Sequence, residues 1–414
     1  MQTELSAEFK GTRDGDAAEA ILRKCVHCGF CTATCPTYQL LGDELDGPRG
    51  RIYLIKQVLE GATPTRSTQL HLDRCLTCRN CETTCPSGVE YGHLVDIGRK
   101  LVDQRVARPP AERAVRWLLK EGLTSPLFAP AMKMGQMMRP LLPPALKDKV
   151  PAPGGARSKV WPTRAHARKV LMLAGCVQPA MMPNVNSATA RVLDAAGIQT
   201  LVAPEAGCCG ALRTHLGDHE GGLADMRRNI DAWWPHVEAG GVEAIVMNAS
   251  GCGVMVKEYG HALAADPAYA DKAARVSALA KDITEYLATL DLPEPAVRSG
   301  LAVAYHSACS MQHGQKITRQ PKELLAKAGF VVREPREGHL CCGSAGTYNI
   351  LQPEISARLR DRKVKNIADT GAAVIATGNI GCITQIADHA GIPIVHTVKL
   401  LDWAYGGDKP AGIA

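Results

Sequence analysis

The chain has 414 residues, which suggests two or three domains at roughly 150 residues each. Hydrophobic residues make up 46% of it, enough for packed cores, so general disorder is excluded. A net charge of +7 with only 4% aromatic residues disfavours a nucleic-acid-binding protein.

The outlying feature of the composition is the cysteine content, 16 residues in total. The polar opening of the chain does not resemble an export signal, and no window approaches 18 uninterrupted apolar residues. We therefore expect a cytoplasmic chain without a spanning helix. Clustered thiols in a reducing compartment usually bind metal or perform redox chemistry, whereas disulfide scaffolds are short and secreted.

Residues 1–107 are predicted to form an α-helical domain, because helix patterns at 17–24, 49–60 and 89–106 are separated by cysteine loops. Each loop reads C-x2-C-x2-C-x3-C-P, and the second follows the first by 50 residues. This is the run of bacterial two-cluster ferredoxins, in which the fourth cysteine ligates the other cluster. We predict two [4Fe-4S] clusters, the first on Cys25, Cys28, Cys31 and Cys85 and the second on Cys75, Cys78, Cys81 and Cys35.

Zinc is the alternative occupant, since C-x2-C pairs also bind zinc. A structural zinc site needs only two such pairs, so two complete four-cysteine runs favour clusters. Four arginines lie close to the runs in sequence and either offset the negative charge of thiolate-bound clusters or form a solvated basic face. They are Arg49, Arg51, Arg74 and Arg79.

Residues 108–167 are predicted to be a proline-rich linker that carries short helices, because dense proline breaks long ones. Within it, residues 131–142 hold four methionines. This stretch could lie on a membrane surface or near a quinone, with Lys133 and Arg139 contacting lipid phosphates. The alternative is a helix that packs two domains together, which is the more common role of such a stretch.

From residue 168 onward, short apolar runs alternate with helix patterns at residues such as 186–196 and 353–367. Strand–helix alternation predicts an α/β architecture with mostly parallel sheets. The predicted strands are 170–173, 200–203, 244–247, 302–305, 331–332, 374–376 and 394–395. The expected fold class is thus α+β multidomain, with an α-helical two-cluster ferredoxin domain followed by a duplicated α/β domain.

The duplication is visible in the remaining cysteines, which repeat one pattern in residues 168–298 and 299–414. Each half contains a single cysteine, then after 31 residues a Cys-Cys-Gly element, then a Gly-Cys pair. We expect these thiols at the carboxyl ends of strands, where α/β folds bind their ligands. The two sets are Cys176, Cys208, Cys209 and Cys252, and Cys309, Cys341, Cys342 and Cys382.

Three interpretations of these two sets remain open. They could bind a further cluster or zinc, act as a metal-free thiol redox site, or be buried inert cysteines. His306, His313 and His339 lie near the second set in sequence and could ligate, relay protons or be structural.

The chain resembles the iron–sulfur subunits of bacterial glycolate oxidase (glycolate dehydrogenase) almost from end to end. The likeness is strongest in residues 25–61 and 72–88, and continues in 229–240, 249–260, 339–348 and 377–382. The Cys-Cys-Gly elements are shared with relatives of heterodisulfide reductase, anaerobic glycerol-3-phosphate dehydrogenase and lactate-oxidising complexes. Residues 37–61 and the pair Trp233-Trp234 favour the glycolate member.

The resemblance implies an electron-transfer subunit within a complex. A flavin subunit, carrying FAD, would oxidise glycolate to glyoxylate or D-lactate to pyruvate, and a second flavoprotein-like subunit would assist. This chain would pass the electrons on to an acceptor, a membrane quinone, from the cytoplasmic face of the inner membrane. No Gly-rich dinucleotide fingerprint is present, so we expect neither bound FAD nor catalytic residues on this chain.

One departure concerns the last element of each half, which in these relatives is often C-x2-C. Ala249 and Asn379 occupy the earlier position here, which puts five-cysteine cluster sites in doubt. Two alternative functions remain: a thiol or disulfide reductase of the heterodisulfide reductase type, and the iron–sulfur subunit of a related lactate or glycerol-3-phosphate dehydrogenase.

Overall fold

The computed structural model describes residues 1–143, 150 and 160–413. Residues 144–149 and 151–159 of the predicted linker lie outside this described part. The chain divides into two compact units. The first comprises Met1–Arg116 and His339–Lys363, and the second comprises Trp117–Gly338 and Val364–Ala414.

The helices are numbered here in chain order over the described residues. The first nine are α1 Arg13–Lys24, α2 Phe30–Thr34, α3 Pro36–Leu41, α4 Pro48–Leu59, α5 Arg66–Asp73, α6 Asn80–Thr84, α7 Tyr91–Arg105, α8 Pro110–Thr124 and α9 Phe128–Met137. They are followed by α10 Val177–Met181, α11 Asn184–Ala195, α12 Ala211–His215, α13 His219–Glu238, α14 Ser250–Lys257, α15 Tyr259–Ala262, α16 Ala270–Leu279 and α17 Ile283–Leu287. The last are α18 Gln320–Lys327, α19 Tyr348–Leu351, α20 Pro353–Ala368, α21 Ile380–Ile386 and α22 Thr397–Ala404.

The first unit is built from helices, as predicted for the N-terminal region. Helix α1 begins where the Thr12 hydroxyl accepts a hydrogen bond from the Gly15 N–H, and α4 begins with Pro48, which needs no backbone donor there. The apolar faces of α1, α4 and α7 meet in one core around Leu22, Ile55 and Leu94. This core fixes the two cysteine loops between the helices.

The second unit contains two four-stranded sheets of the same topology, with strand orders β2-β1-β3-β4 and β6-β5-β7-β8. The first sheet consists of β1 Arg168–Met172, β2 Ile198–Leu201, β3 Ile245–Met247 and β4 Ala280–Asp282. The second consists of β5 Ala302–Tyr305, β6 Val331–Arg333, β7 Val374–Thr377 and β8 Ile394–His396. All neighbouring strands are parallel. This confirms the predicted fold class.

The two sheets share one hydrophobic core, to which Val170 and Val303 both contribute. Polar contacts between the repeats supplement it. Arg191 on α11 binds both carboxylate oxygens of Asp402 on α22, at 2.9 and 2.5 Å. The Nε2–H of buried His396 donates to the Asn248 carbonyl at 2.8 Å, while Nδ1 accepts from the Val398 N–H. The repeats are therefore two halves of one packed body.

Strand β4 is the one strand of the described residues that the sequence analysis missed. It is three residues long and includes Lys281 and Asp282, so it lacks the apolar run that revealed the others. No helix in the described part of the chain is long and apolar enough to cross a membrane.

Candidate iron–sulfur sites

The two ferredoxin loops have the same backbone, 50 residues apart. In the first, His27 and Gly29 adopt positive φ angles of 57° and 85°, and in the second Thr77 and Arg79 adopt 52° and 58°. The left-handed residues reverse the chain after each of the first two cysteines, so that consecutive sulfurs face one site. The third cysteine then lies in a short helix, α2 or α6, and the fourth follows that helix directly.

The first predicted set of cysteines lines one pocket of the first unit. Cys25, Cys28, Cys31 and Cys85 all contribute to its wall. Cys85 comes from the other run, which agrees in placement with the crossed pattern of two-cluster ferredoxins. Cys28 is the exposed member, so this pocket opens to the surface.

The second predicted set surrounds Cys81, which is buried. Burial raises the pKa of the Cys81 thiol well above its usual value, and charges on neighbouring thiols raise it further. Those neighbours are Cys78, Cys75 and Cys35, the other three members of the set. Cys35 again comes from the other run.

The chemistry of both thiol sets fits iron–sulfur clusters. Burial, followed by the nearby thiols Cys25 and Cys28, raises the pKa of Cys31 to about 11. Without a compensating cation these thiols would therefore resist ionisation. Iron supplies that positive charge, and cysteine thiolate is its ligand in such clusters. The residues present are thus those that a cluster requires.

A buried network of charged residues lies beside the second set. Arg51 and Asp46 are each about 1% exposed, and their side chains are 3.4 Å apart. Asp46 also binds His71 Nδ1 at 3.0 Å and Arg74 at 2.8 Å. Arg51 donates to the His71 carbonyl and to the Thr37 hydroxyl. Every polar side chain in this group is held by at least one other.

The Arg51 cation acts on the thiols of the second set. Burial alone would lower the pKa of Arg51, but the surrounding groups hold it above its usual value. These groups include Cys75 and Cys35, besides Tyr91 and Asp46. Of the four arginines considered in the sequence, Arg51 is therefore a buried one whose charge would offset that of a cluster on the second set. Arg49 pairs instead with Glu44 at a half-exposed position, 2.6 Å away.

Three groups near Cys75 were missed by the sequence analysis. The Tyr91 hydroxyl donates to Cys75 Sγ at 3.7 Å, and the Thr77 N–H donates to the same sulfur at 3.4 Å. Arg99 donates to the Cys75 carbonyl at 2.6 Å. Donors to a ligating sulfur stabilise its negative charge and tune the cluster potential. Tyr91 and Arg99 stand on α7, outside the cysteine motif, so the motif gave no signal for them.

The first Cys-Cys-Gly set is assembled within the second unit. Cys208 accepts hydrogen bonds from Cys176 and Cys209, and also from the N–H groups of Gly210 and Leu212. These contacts hold the pKa of Cys208 well below its usual value, while the hydrogen bond to Cys208 and burial raise that of Cys176. Cys209 in turn contacts Cys252. Four neighbouring thiols, one of which has a lowered pKa, are suited to bind a metal.

Two residues position this set from the helices behind it. The Asn229 amide donates to the Cys208 carbonyl at 2.7 Å and accepts from the Gly207 N–H. The Tyr259 hydroxyl donates to the Cys209 carbonyl at 3.0 Å. Both side chains are fully buried. The sequence pattern did not single them out for this role.

The glycine of each Cys-Cys-Gly element is required by its backbone. Gly210 and Gly343 have φ angles of +90° and +86°. A Cβ atom on Gly210 would lie 2.8 Å from the Gly222 carbonyl oxygen, and one on Gly343 would lie 2.5 Å from that of Ser356. Both glycines thus permit a left-handed turn pressed against a helix.

The second set is divided between the two units. Cys341 and Cys342 are buried in the first, and Cys309 and Cys382 belong to the second. The segment that carries Cys341 and Cys342 is tied to the ferredoxin loops. The Asn80 amide donates to the His339 carbonyl at 3.3 Å, and the Tyr348 hydroxyl donates to the Arg74 carbonyl at 3.0 Å.

The other two histidines near the second set lie in the second unit. His306 and His313 are both buried.

The two positions that depart from the C-x2-C pattern have structural roles. Asn379 caps α21 by accepting from the Gly381 N–H at 2.8 Å, and its amide donates to the Ser250 hydroxyl at 2.9 Å. Ala249 precedes α14, which starts at Ser250. Asn379 therefore connects the two repeats by a hydrogen bond, at the position where the C-x2-C pattern of the relatives has an additional cysteine.

Two families match the chain in comparisons with known proteins. The family described as "Cysteine-rich domain" matches residues 170–257 and 303–387, and the "4Fe-4S dicluster domain" matches residues 21–89. The glycolate oxidase iron-sulfur subunit of Escherichia coli strain K12 is 51% identical over 98% of this chain and 99% of its own length. The chain belongs to the family of glycolate oxidase iron–sulfur subunits. The resemblance stated from the sequence is thereby confirmed.

More distant members and relatives extend the comparison. The probable glycolate oxidase iron-sulfur subunit of Bacillus subtilis strain 168 is 33% identical, covering 92% of this chain and 91% of its own. A lactate utilization protein A from Exiguobacterium is 25% identical over only 56% of this chain. A solved hypothetical protein from Helicobacter pylori shares the fold, with a TM-score of 0.54 at 11% identity over 96% of this chain and 74% of its own.

Proposed function

We propose that this chain is the electron-transfer subunit of a glycolate oxidase complex. It would receive electrons from a partner subunit whose FAD oxidises glycolate to glyoxylate, with a second flavoprotein-like subunit in the complex. The acceptor that we propose is a membrane quinone. The observation that supports the proposal is that thiols of both ferredoxin runs lie together around one pocket and around Cys81 in one helical unit, in a chain of this family.

The chemistry divides naturally between the subunits. Glycolate oxidation removes two electrons together, which a flavin can accept as a pair and release singly. Iron–sulfur clusters supply one-electron transfer. The cysteine sets of this chain would hold two such clusters, and Arg51, Tyr91 and the Thr77 N–H would stabilise the thiolates of the second.

The test is made on the assembled complex by stopped-flow spectroscopy. Cys28→Ser and Cys78→Ser should leave flavin bleaching by glycolate largely intact and abolish quinone reduction. Thr83→Ser, on α6 between Cys81 and Cys85, removes no sulfur; it is the matched control and should leave both rates unchanged. Glycolate turnover by the purified chain alone would contradict the proposal, as would unimpaired quinone reduction after both clusters are lost.

D-lactate serves as a second reductant in the same experiment. The resemblance to lactate utilization proteins over half of the chain gives a reason to compare it with glycolate. Preference for either substrate should follow the flavin subunit and should not change with variants of this chain.

A further inference from the structure

The two ferredoxin loops share a backbone conformation but differ in how far they are covered. In the first loop, Val26 and Phe30 are 67% and 59% exposed. Leu76 and Asn80 occupy the same positions 50 residues later, and they are only 5% and 3% exposed. The described part of the chain therefore covers this face in the second loop and leaves it open in the first.

The second loop is covered by the segment that carries one of the Cys-Cys-Gly elements. The Asn80 amide donates to the carbonyl of His339, two residues before Cys341, at 3.3 Å. Further along the same segment, the Tyr348 hydroxyl donates to the Arg74 carbonyl at 3.0 Å. All of these residues belong to the first unit. The occupant of this face is thus a protein segment that carries a cysteine site of its own.

The open face of the first loop surrounds the first pocket of cysteines. Val26 and Phe30 line this pocket together with Cys28, the exposed member of the first set. Exposed apolar side chains that cluster at one place mark interaction sites, and Phe is enriched in the cores of protein interfaces. A partner seated here would come as near to the first cluster as the surface allows.

The charged groups beside this face indicate the kind of partner that fits it. Lys24, directly before the first loop, binds Glu90 at 2.6 Å, and Arg49, which lines the pocket, binds Glu44 at 2.6 Å. All four side chains are partly exposed. An apolar centre with a polar rim is the usual anatomy of a protein interface. An anionic lipid surface would instead favour an excess of cations. The face therefore fits a protein.

We propose that the open face around Val26, Phe30 and Cys28 binds the partner subunit that carries FAD, so that electrons enter this chain at the first cluster. The second loop does not serve, because the chain's own segment occupies it. Each electron would leave the reduced flavin, whose protons pass to water, and would reduce the first cluster. The inference rests on the proposed function for the identity of the partner, and it adds where that partner binds and which cluster it meets.

The first test is hydrogen exchange of the intact, anaerobically purified chain, alone and in the assembled complex. The backbone amides of residues 26–31 should exchange about tenfold or more slowly in the complex, because a bound partner suppresses local opening. Those of residues 76–81, which are already covered, should not change. Unchanged exchange of residues 26–31 would overturn the inference. Protection of these residues by lipid vesicles or by a second copy of the chain, and not by the partner subunits, would also overturn it.

The second test measures the affinity of the purified partner subunits for variants of the intact chain. Val26→Ser combined with Phe30→Ser should weaken binding about tenfold or more. The matched control, Val115→Ser combined with Ile350→Ser, removes two exposed apolar side chains of the same unit that do not line the pocket, and it should bind like the wild type. Iron content and paramagnetic resonance verify that both variants keep their clusters. Equal affinity of the Val26 and Phe30 variant and the wild type would contradict the proposal.

The two tests do not depend on turnover, so they separate this inference from the proposed function. A complex whose residues 26–31 are protected but which fails to reduce quinone would support the docking face and refute the proposed electron route to quinone. A complex that reduces quinone while residues 26–31 remain unprotected would refute the docking face alone.

Discussion

Cys85 and Cys35 each follow the short helix that carries the third cysteine of their own run, yet each lies with the other run's sulfurs. The geometry explains the crossing, because α2 and α6 pack side by side and the Asn80 amide donates to the Thr34 carbonyl at 2.9 Å. Each helix end is thus carried to the neighbouring site.

Cys85→Ser should therefore damage the cluster on Cys25, Cys28 and Cys31, although it lies in the second run. Electron paramagnetic resonance of the reduced protein, with iron analysis, measures the effect. Cys28→Ser should give the same pattern of loss, and Cys78→Ser the other pattern. If Cys85→Ser instead reproduces the Cys78→Ser spectrum, the crossed assignment is wrong.

Arg51→Gln should destabilise the first unit by about 1–3 kcal/mol, because it removes a buried cation that donates to Asp46 and to the His71 carbonyl, although Asp46 keeps Arg74 as a charged partner. The control Arg49→Gln removes a half-exposed pair and should cost less than about 1 kcal/mol. Anaerobic urea unfolding measures both. Equal losses for the two variants would contradict the argument.

The same substitution has a redox consequence. Arg51 is a cation beside Cys75 and Cys35, and reduction adds negative charge there. Arg51→Gln should lower the reduction potential of the second cluster and leave that of the first nearly unchanged, as measured by titration with paramagnetic resonance detection. A shift confined to the first cluster would show that Arg51 serves the other site.

At the scale of elements, sequence periodicity predicts a helix or strand correctly where that element is long or strongly apolar. Helices α1, α4 and α7 were predicted within a few residues, and parallel strands followed from apolar runs such as residues 374–376. The sequence analysis missed strand β4 because this strand is defined by its pairing with β3 and not by an apolar run of its own. The sequence also gave no sign that His339–Lys363 joins the first unit, since that depends on contacts such as Tyr348 to Arg74.

At the candidate sites, too, only local features could be predicted from the sequence. The spacing of the motifs predicts which cysteines are ligands, because ligand spacing is a local property of the chain. The network of Asp46, Arg51 and His71 is not local, because helix packing brings its members together across 25 residues. Asn229 and Tyr259 likewise reach the first Cys-Cys-Gly element from separate helices.

The junction of β4 and α17 gives a prediction about pH. Asp282 caps α17 by accepting from the Thr284 N–H, and burial raises its pKa to about 6 from 3.8. The folded state thus holds a proton that the unfolded state loses, so this residue's contribution to stability is full below about pH 4 and is lost as pH rises through about 6.

Asp282→Asn removes this titration and keeps a capping side chain. The unfolding free energy of Asp282→Asn relative to wild type should rise by about 1–2 kcal/mol between pH 5 and pH 7.5. The exposed-site control Asp291→Asn should show no such rise. His396, whose pKa burial lowers to about 4, acts in the opposite direction in both proteins and cancels in the difference. A difference that falls or stays level with pH would contradict the prediction.

At the scale of the whole molecule, metal content distinguishes the two kinds of cysteine site. The ferredoxin sets of the first unit should hold about eight irons in the anaerobically purified chain. In the second unit, the thiols of the set around Cys208 are joined by hydrogen bonds to one another. Any metal beyond the eight irons should bind there. Near-zero iron with stoichiometric zinc would contradict both cluster assignments.

Cys208→Ser locates the additional metal. Cys208 is the thiolate that contacts both Cys176 and Cys209, so its loss should release iron or zinc in excess of eight irons and leave the ferredoxin spectra unchanged. Cys25→Ser is the reciprocal control, because it should remove iron from the first ferredoxin site and leave the additional metal in place. Anaerobic iron, sulfide and zinc analysis of the three proteins measures this directly. If the wild type contains eight irons and no other metal, the Cys208 set binds none, and the lowered pKa of Cys208 instead predicts a fast phase of reaction with thiol reagents that Cys208→Ser lacks.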